Sequence, residues 1–247
     1  MILKIWMCVT MNQEVNKIRI LLSNNEVIKI GGKMIKEKYH IKQIPYKEAM
    51  QIIIKNHYLH RKSPCTITFG LLNIKEEIKG VIIYGVPASR ALQKGVCGKE
   101  YAEKVGELTR LWVSDDVEKN GESFLIGNTL KLQPFQIIVS YADSSQNHFG
   151  VVYQATNWIY TGLSDKHCVW HLDGKPTNKH CRHLFDLYGG VEKAKKELGD
   201  RLTRGERSRK HRYVFFNCDK KNKKNLRAKL KYEIKPYPKQ EINKETI

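Results

Sequence analysis

The spacing of apolar side chains divides the chain into short β runs and longer helical stretches, and the clearest pattern lies between Val105 and Tyr160. Two strand–loop–helix units follow one another there. The first is a strand over 107–113, a polar loop and a helix from about Ser123. The second is a strand over 137–141, the loop Ala142-Asp143-Ser144-Ser145-Gln146-Asn147-His148 and a helix from about Gly150. Apolar residues fill the periodic segments, and polar ones gather where each strand ends. In an open α/β sheet ligands bind beyond the carboxyl ends of strands, so this stretch predicts one rim of an active site.

Elements on either side read as its support. Residues 1–32 alternate in places and end at Gly31-Gly32, which predicts a small hairpin or edge extension. A strand over 40–44 leads to Pro45, suited to the first turn of a helix that runs into Asn56-His57-Tyr58-Leu59-His60-Arg61. Runs at 66–72 and 80–86 flank Lys75-Glu76-Glu77 and predict a hairpin. Residues 91–103 read as a polar, glycine-containing loop. In the strand over 107–113, strict alternation puts Glu107, Thr109 and Leu111 on one face and Leu108, Arg110 and Trp112 on the other. Further strands are expected at 158–162 and 169–172, helices at 180–188 and 191–198, and an arginine-rich loop over 201–212. A short aromatic strand over 212–216, a basic helix over 220–231 and a polar tail close the chain.

Charge adds a partner to this picture. The 247 residues carry a formal charge of +19, and Val191 to Ile247 holds 19 Lys and Arg against 8 Asp and Glu. A basic face of that kind neutralises phosphates, so a nucleic acid is the expected partner; a merely solubilising tail is the plainer reading. The six cysteines are widely spread, which fits reduced thiols in a cytoplasmic protein. No secretory signal and no membrane-length apolar run is visible.

Several clusters carry chemistry. His57 and Tyr58, with His60 and Arg61, place two imidazoles, a phenol and a guanidinium at a helix end, where cations also simply stabilise the helix terminus. Glu107, Arg110 and Ser123 converge if strand and helix pack side by side; otherwise they are an ion pair and an N-cap. Ser123 also marks a helix N-terminus suited to a phosphate or carboxylate. Tyr141, Asp143, His148, Tyr153 and Asn157 offer donors for iron or for acid–base work, against ordinary loop and cap chemistry. Cys168 and His171 with His180, Cys181 and His183 have zinc-ligand chemistry but no common finger spacing.

The segments NHYLHRKSP, GVIIYGVPAS, ELTRLWVSDDVEKNGESFLIG and VSYADSSQNHFGVVYQATNWIYTG, with the closing KPYPK, resemble the Mom family of phage DNA-modification proteins over most of the chain. The resemblance implies an α/β fold of the GNAT (acetyltransferase) type, a mixed sheet flanked by helices, with a basic helical C-terminal extension. It implies double-stranded DNA as partner and conversion of adenine N6 in that DNA to N6-methylcarbamoyl (acetamido) adenine, which protects phage DNA from restriction. It further implies iron and, as donor, acetyl-CoA. Carried over by position, it favours Arg110, Ser123, Asp143 and Tyr153 as catalytic residues, with Ser123 and Arg110 on a cofactor. His57, Tyr58, Asp143 and Tyr153 become the iron neighbours. One departure stands out: where an acetyltransferase has a glycine-rich pyrophosphate loop, Glu122 here opposes an anion.

The expected organisation is an N-terminal extension over 1–35, a catalytic domain over 36–190 and a basic DNA-binding portion over 191–247. A DNA adenine-modifying enzyme in the bacterial host cytoplasm is the primary expectation. An N-acetyltransferase acting on an amine or protein, and a non-catalytic DNA-binding protein, are the alternatives.

Overall fold

The computed structural model describes residues 35–176 and 181–239, preceded by three short strands, β1 (Val9–Thr10), β2 (Ile18–Leu21) and β3 (Val27–Ile30). These three form a three-stranded antiparallel sheet of their own, where the alternation gives the expectation of a small hairpin or edge extension.

The body of the molecule is a seven-stranded sheet. In chain order its elements are α1 (Ile35–Lys38), β4 (Tyr39–Gln43), α2 (Tyr46–Asn56), β5 (Ile67–Asn73), β6 (Ile78–Gly85), α3 (Arg90–Cys97), β7 (Val105–Val113), α4 (Gly121–Thr129), β8 (Ile137–Asp143), α5 (Val151–Ala155) and β9 (Ile159–Leu163). There follow β10 (His167–Leu172), β11 (Lys175–Pro176), α6 (Cys181–Leu187), α7 (Val191–Leu198), β12 (Leu202–Arg207), β13 (Lys210–Phe216) and α8 (Lys220–Lys229). The main sheet runs β4-β5-β6-β7-β8-β13-β9, antiparallel except where β8 lies parallel to β7. The expected mixed α/β sheet flanked by helices is therefore the one observed.

Alternation along the strands sorts the helices onto two faces. Ile82, Leu108 and Ile138 meet α4 and α5 through Leu125, Ile126 and Tyr153. Their neighbours Val81 and Ile83 meet α2 through Ala49, Met50 and Ile53 on the opposite face. On that same opposite face, Val105, Ile137, Val139 and Val214 meet α3 and α8 through Val96, Cys97 and Leu226.

Three elements differ from the sequence expectation. Residues 90–97 form α3 rather than a loop: the Ser89 hydroxyl accepts the Leu92 N–H, and buried Val96 and Cys97 anchor the helix. Its glycines and lysines had masked that short apolar face. The arginine-rich stretch contains β12, paired with β10 from His167↔Arg207 to Leu172↔Leu202. The aromatic strand β13 starts at Lys210 and lies inside the sheet, between β8 and β9.

Between β9 and β13 the chain builds a satellite lobe. Strands β11-β10-β12 form a separate sheet, and Phe185, Ala194, Leu198 and Leu202 pack with Trp170 and Leu172 into a core of their own. Helices α6 and α7 share that core, so a boundary at residue 190 passes through it. After the lobe, β13, α8 and the segment to Lys239 return to the main body. There the Lys235 N–H donates to the Tyr160 carbonyl at 3.0 Å and the Tyr237 hydroxyl to the Trp158 carbonyl at 2.7 Å.

Candidate active site

Strands β7 and β8 pair only from Val105↔Ile137 to Glu107↔Val139, yet β7 continues to Val113 and β8 to Asp143. Beyond Glu107 the two strands separate. The gap is a cavity of about 520 Å³ lined by β7, β8, the end of α2, the start of α5, Glu122 of α4 and Lys210. That size suits a small-molecule or nucleobase site. It opens at the carboxyl ends of two parallel strands, where the sequence placed the functional rim.

A β-bulge reshapes one wall. The β6–β7 register slips between Tyr84↔Leu108 and Ile83↔Arg110, leaving Thr109 as the extra residue. Ile83 and Gly85 share a face of β6, so their partners Arg110 and Glu107 share one too. The expectation that Glu107 and Arg110 point to opposite faces is thereby corrected. The bulge is held from outside, with the Thr109 Oγ1 at 3.1 Å from both the Ser63 hydroxyl and the Pro64 carbonyl.

Arg110 donates from one terminal nitrogen to the Thr109 carbonyl at 2.6 Å and from the other to the Lys62 carbonyl at 3.3 Å. Its Nε is buried with no hydrogen-bond partner. Burial and the neighbouring Arg61 lower its pKa. Burial raises that of Glu107, and the charges of Arg110 and Lys210 only partly offset it. Among the described residues the Glu107 carboxylate has no hydrogen bond or ion pair.

At the mouth, Tyr58 stacks on His57 at 4.5 Å and meets His148 edge-on at 5.8 Å. Tyr58 is 40% exposed, whereas His57 is buried and accepts the Leu59 N–H through Nδ1 at 3.1 Å. Burial, reinforced by Arg110, His148, His60 and Lys210, pushes His57 down to about 4, so the ring is neutral at pH 7. Burial also raises the Tyr58 phenol. On the inner side the buried Tyr153 hydroxyl lies 2.8 Å from the Ser140 hydroxyl. Burial pushes it up to about 12, so Tyr153 is a neutral phenol.

Four of the six residues expected at the site therefore line one cavity: His57, Tyr58, Arg110 and Tyr153. The other two do not. Asp143 ends β8 outside the cavity lining, with its carboxylate fully engaged. Oδ1 accepts from the Ser145 N–H at 3.1 Å and from the hydroxyls of Ser145 and Ser208 at 2.7 and 3.1 Å, while Oδ2 lies 3.3 Å from the Lys210 Nζ. Burial opposes its charge, but Ser145 and Lys210 outweigh this and hold it below the usual carboxylate range. Ser123 lies in the first turn of α4 rather than at its N-cap, which is Asn120, and donates to the Asn120 carbonyl at 3.0 Å. It faces a separate shallow depression with Asn120, Gly127 and Asn157. Asn157 is not on the face of α5 with Tyr153, because the helix ends at Ala155 and Asn157 has φ 60°.

These positions bear on the groups that the resemblance implies. Of the four residues expected around iron, His57, Tyr58 and Tyr153 line the cavity, with the Tyr153 hydroxyl bonded to Ser140, while Asp143 is engaged in its own turn. Among the described residues no group of three or more His, Cys, Asp and Glu could hold a metal. The zinc grouping fares no better: Cys168 and His171 sit three apart on regularly paired β10 and so on opposite faces. His180 and the side chains of Cys181 and His183 lie outside the described residues. For a diphosphate-bearing cofactor, α4 offers a helix N-terminus, but Glu122 in its first turn opposes an anion.

Lys210 is the lining residue that sequence reading missed. It falls in the stretch expected to be an arginine-rich loop, although the alternation Lys210-His211-Arg212-Tyr213-Val214 is itself a strand signal.

Fold and cavity together define a mixed α/β protein with a reaction-sized cleft between diverging parallel strands. Comparison with known proteins then supplies the family. Residues 38–239 match the Mom protein family, and the chain belongs to it. It is 31% identical over 201 residues to the methylcarbamoylase Mom of Escherichia phage Mu, covering 79% of this chain and 78% of the phage protein. Among solved structures it is similar to a phosphinothricin N-acetyltransferase, at 10% identity, 73% and 99% coverage of the two chains and a TM-score of 0.44. It is similar also to the spermidine/spermine N-acetyltransferase of Vibrio cholerae, at 8% identity, 77% and 99% coverage and a TM-score of 0.43.

Proposed function

We propose that this chain is a DNA-modifying enzyme that converts adenine N6 in DNA to N6-methylcarbamoyl (acetamido) adenine, and that the product shields DNA from restriction. Membership of the Mom family and the likeness to the phage Mu methylcarbamoylase support the reaction. The observation that carries the site is the cavity itself: about 520 Å³, aromatic at its mouth, cationic on one wall, in a chain of formal charge +19. Chemistry on a duplex base requires the base to leave the stack and enter such a pocket.

In this reading Tyr58, steadied by His57 and His148, stacks on the extruded base. Lys210 and Arg61 meet the flanking phosphates. Arg110 and Tyr153 orient the reacting groups from opposite sides of the sheet. Asp143 acts as a positioning residue that aims Lys210 and fastens the turn Ser208-Arg209-Lys210, whose Arg209 carbonyl also accepts from the Ser144 hydroxyl at 2.5 Å. Ser123 serves α4 rather than the reacting atoms. No step is routed through iron or CoA: Asp143 is engaged by Ser145, Ser208 and Lys210, and Glu122 opposes an anion at the head of α4. The basic segments after residue 190 bind the duplex.

Co-expression with a plasmid, digestion of the DNA to nucleosides and mass spectrometry tests the reading. A new adenosine species is expected with the native chain. Arg110→Ala is expected to reduce it at least about 100-fold, the scale of losing a directed charge at a reacting centre. Soluble native protein that leaves the nucleosides unchanged would overturn it.

A further inference from the structure

Two polar groups of the cavity wall that come from β7 have no hydrogen-bond partner among the described residues. The Glu107 carboxylate has no hydrogen bond or ion pair among the described residues, and the Arg110 Nε is buried without a partner. The bulge at Thr109 brings them to the same face of the sheet, and both line the cavity. A carboxylate only accepts hydrogen bonds, and a guanidinium N–H only donates. Buried polar groups are almost always paired, so two unpaired ones on one face of β7 in the cavity wall call for a ligand that supplies the complements, with the Arg110 side chain turning its Nε toward it.

The geometry points to Glu107 and Arg110 as the reader of the target base's amino edge: Glu107 accepts a hydrogen bond from the exocyclic amine, and the Arg110 Nε donates to the ring nitrogen beside it. This rests on the DNA-base reading above and goes beyond it by naming what the site selects. Adenine and cytosine present an amine next to an unprotonated ring nitrogen. Guanine, thymine and hypoxanthine present a carbonyl next to an N–H, which reverses both complements. Their carbonyl oxygen would face the carboxylate and their N–H the guanidinium, leaving four groups unpaired. A site built to hydrogen-bond a substrate group rejects the analogue lacking it far more strongly than an apolar pocket could. The Asp143 carboxylate cannot play this part, because its oxygens are occupied by Ser145, Ser208 and Lys210.

The test compares binding of two short single-stranded oligonucleotides, one with a single adenine among thymines and one with hypoxanthine in its place. The native protein is expected to bind the adenine strand at least about tenfold more tightly, since each reversed pair at a charged group carries a penalty of that order. Glu107→Gln can turn its amide to donate to a carbonyl, which removes one of the two reversed pairs, and is expected to lower the adenine-to-hypoxanthine affinity ratio about tenfold from the native value, with the Arg110 mismatch remaining. Glu107→Leu is expected to weaken adenine binding and to lower the ratio by a similar factor. Equal binding of both strands by the native protein, or native-like discrimination in Glu107→Gln, would overturn the proposal. Since Gln is nearly isosteric with Glu, the test survives a Leu variant that fails to fold. Discrimination without any modified nucleoside in the plasmid experiment would sink the proposed reaction and leave this inference standing.

Discussion

His57 shows how one side chain couples the site to the stability of the fold. Its pKa is depressed from the ordinary 6.5 to about 4, chiefly by burial. In that interval the unfolded chain binds a proton that the native imidazole refuses. The stabilisation is therefore complete above about pH 6.5 and is lost as pH falls toward 4. His57→Asn keeps an acceptor for the Leu59 N–H but does not titrate. Melting temperatures recorded from pH 7 to pH 4 are expected to fall more steeply for the native chain, by the equivalent of about 2 kcal/mol. Parallel curves would show that His57 charges freely in the fold. Glu107 works in the opposite sense. Its pKa is raised, so at pH 7 the ionised carboxylate carries a burial cost absent from the unfolded chain. Glu107→Gln is expected to raise stability while impairing the site, the usual trade where a costly buried group is functional. At this scale the sequence disclosed residue types well: His57, Tyr58, Arg110 and Tyr153 all reach the cavity. It did not disclose that Asp143 spends its carboxylate on a turn, because Ser208 and Lys210 lie 65 and 67 positions away in the chain.

At the scale of elements, the decisive features are the end of β7–β8 pairing and the bulge in β7. The parallel contact stops at Glu107, and Gly106 lies just inside it, packed so closely that an added Cβ would overlap the Phe135 ring. Gly106→Ala is expected to cost about 2–3 kcal/mol, the range for overpacking a well-filled core, as a lowered urea midpoint at unchanged slope. The β12–β13 turn rests on Asp143. Asp143→Ala removes three hydrogen bonds and the Lys210 pairing, and should speed amide exchange at Ser208 to Lys210 without altering the distant α3. Asp143→Asn should retain much of the protection, because Oδ1 keeps its three donors. If Ala leaves exchange in the turn unchanged, Asp143 does not fasten it. Strand–helix alternation made most elements legible, but α3 and β12 were not. Their periodic faces are short, and tertiary partners, Leu226 for α3 and β10 for β12, hold them in place.

For the molecule as a whole the question is how a polyanion is held. Helix α8 buries Leu226 against the sheet and leaves Lys220, Lys224 and Arg227 beside a groove floored by Ile159, Val214 and Phe215. None of the three cations has an acidic partner among the described residues, and Lys223 is set over the Phe215 ring at 4.9 Å. If this face tracks DNA phosphates, replacing Lys220, Lys224 and Arg227 together with Ala should weaken DNA binding. It should also make the slope of log affinity against log salt shallower by about 3, at 0.9 per lost phosphate contact. The melting temperature should stay within about a degree, since exposed unpaired cations contribute little to stability. An unchanged salt slope would place the duplex elsewhere. No helix of the described residues is long and apolar enough to cross a membrane.

Much about this protein is local and needed no fold to read: the order of strands and helices, the excess of positive charge, and the family segments with their His, Tyr and Arg. Those follow from periodicity and composition, which act over a few residues at a time. Only tertiary structure decided that β13 separates β8 from β9, that β7 and β8 part company after three paired residues, and that Glu107 and Arg110 share a face. The reason is physical. Strand order is a matter of long-range pairing, and one bulged residue inverts the parity of every side chain beyond it, a shift that strict alternation cannot register.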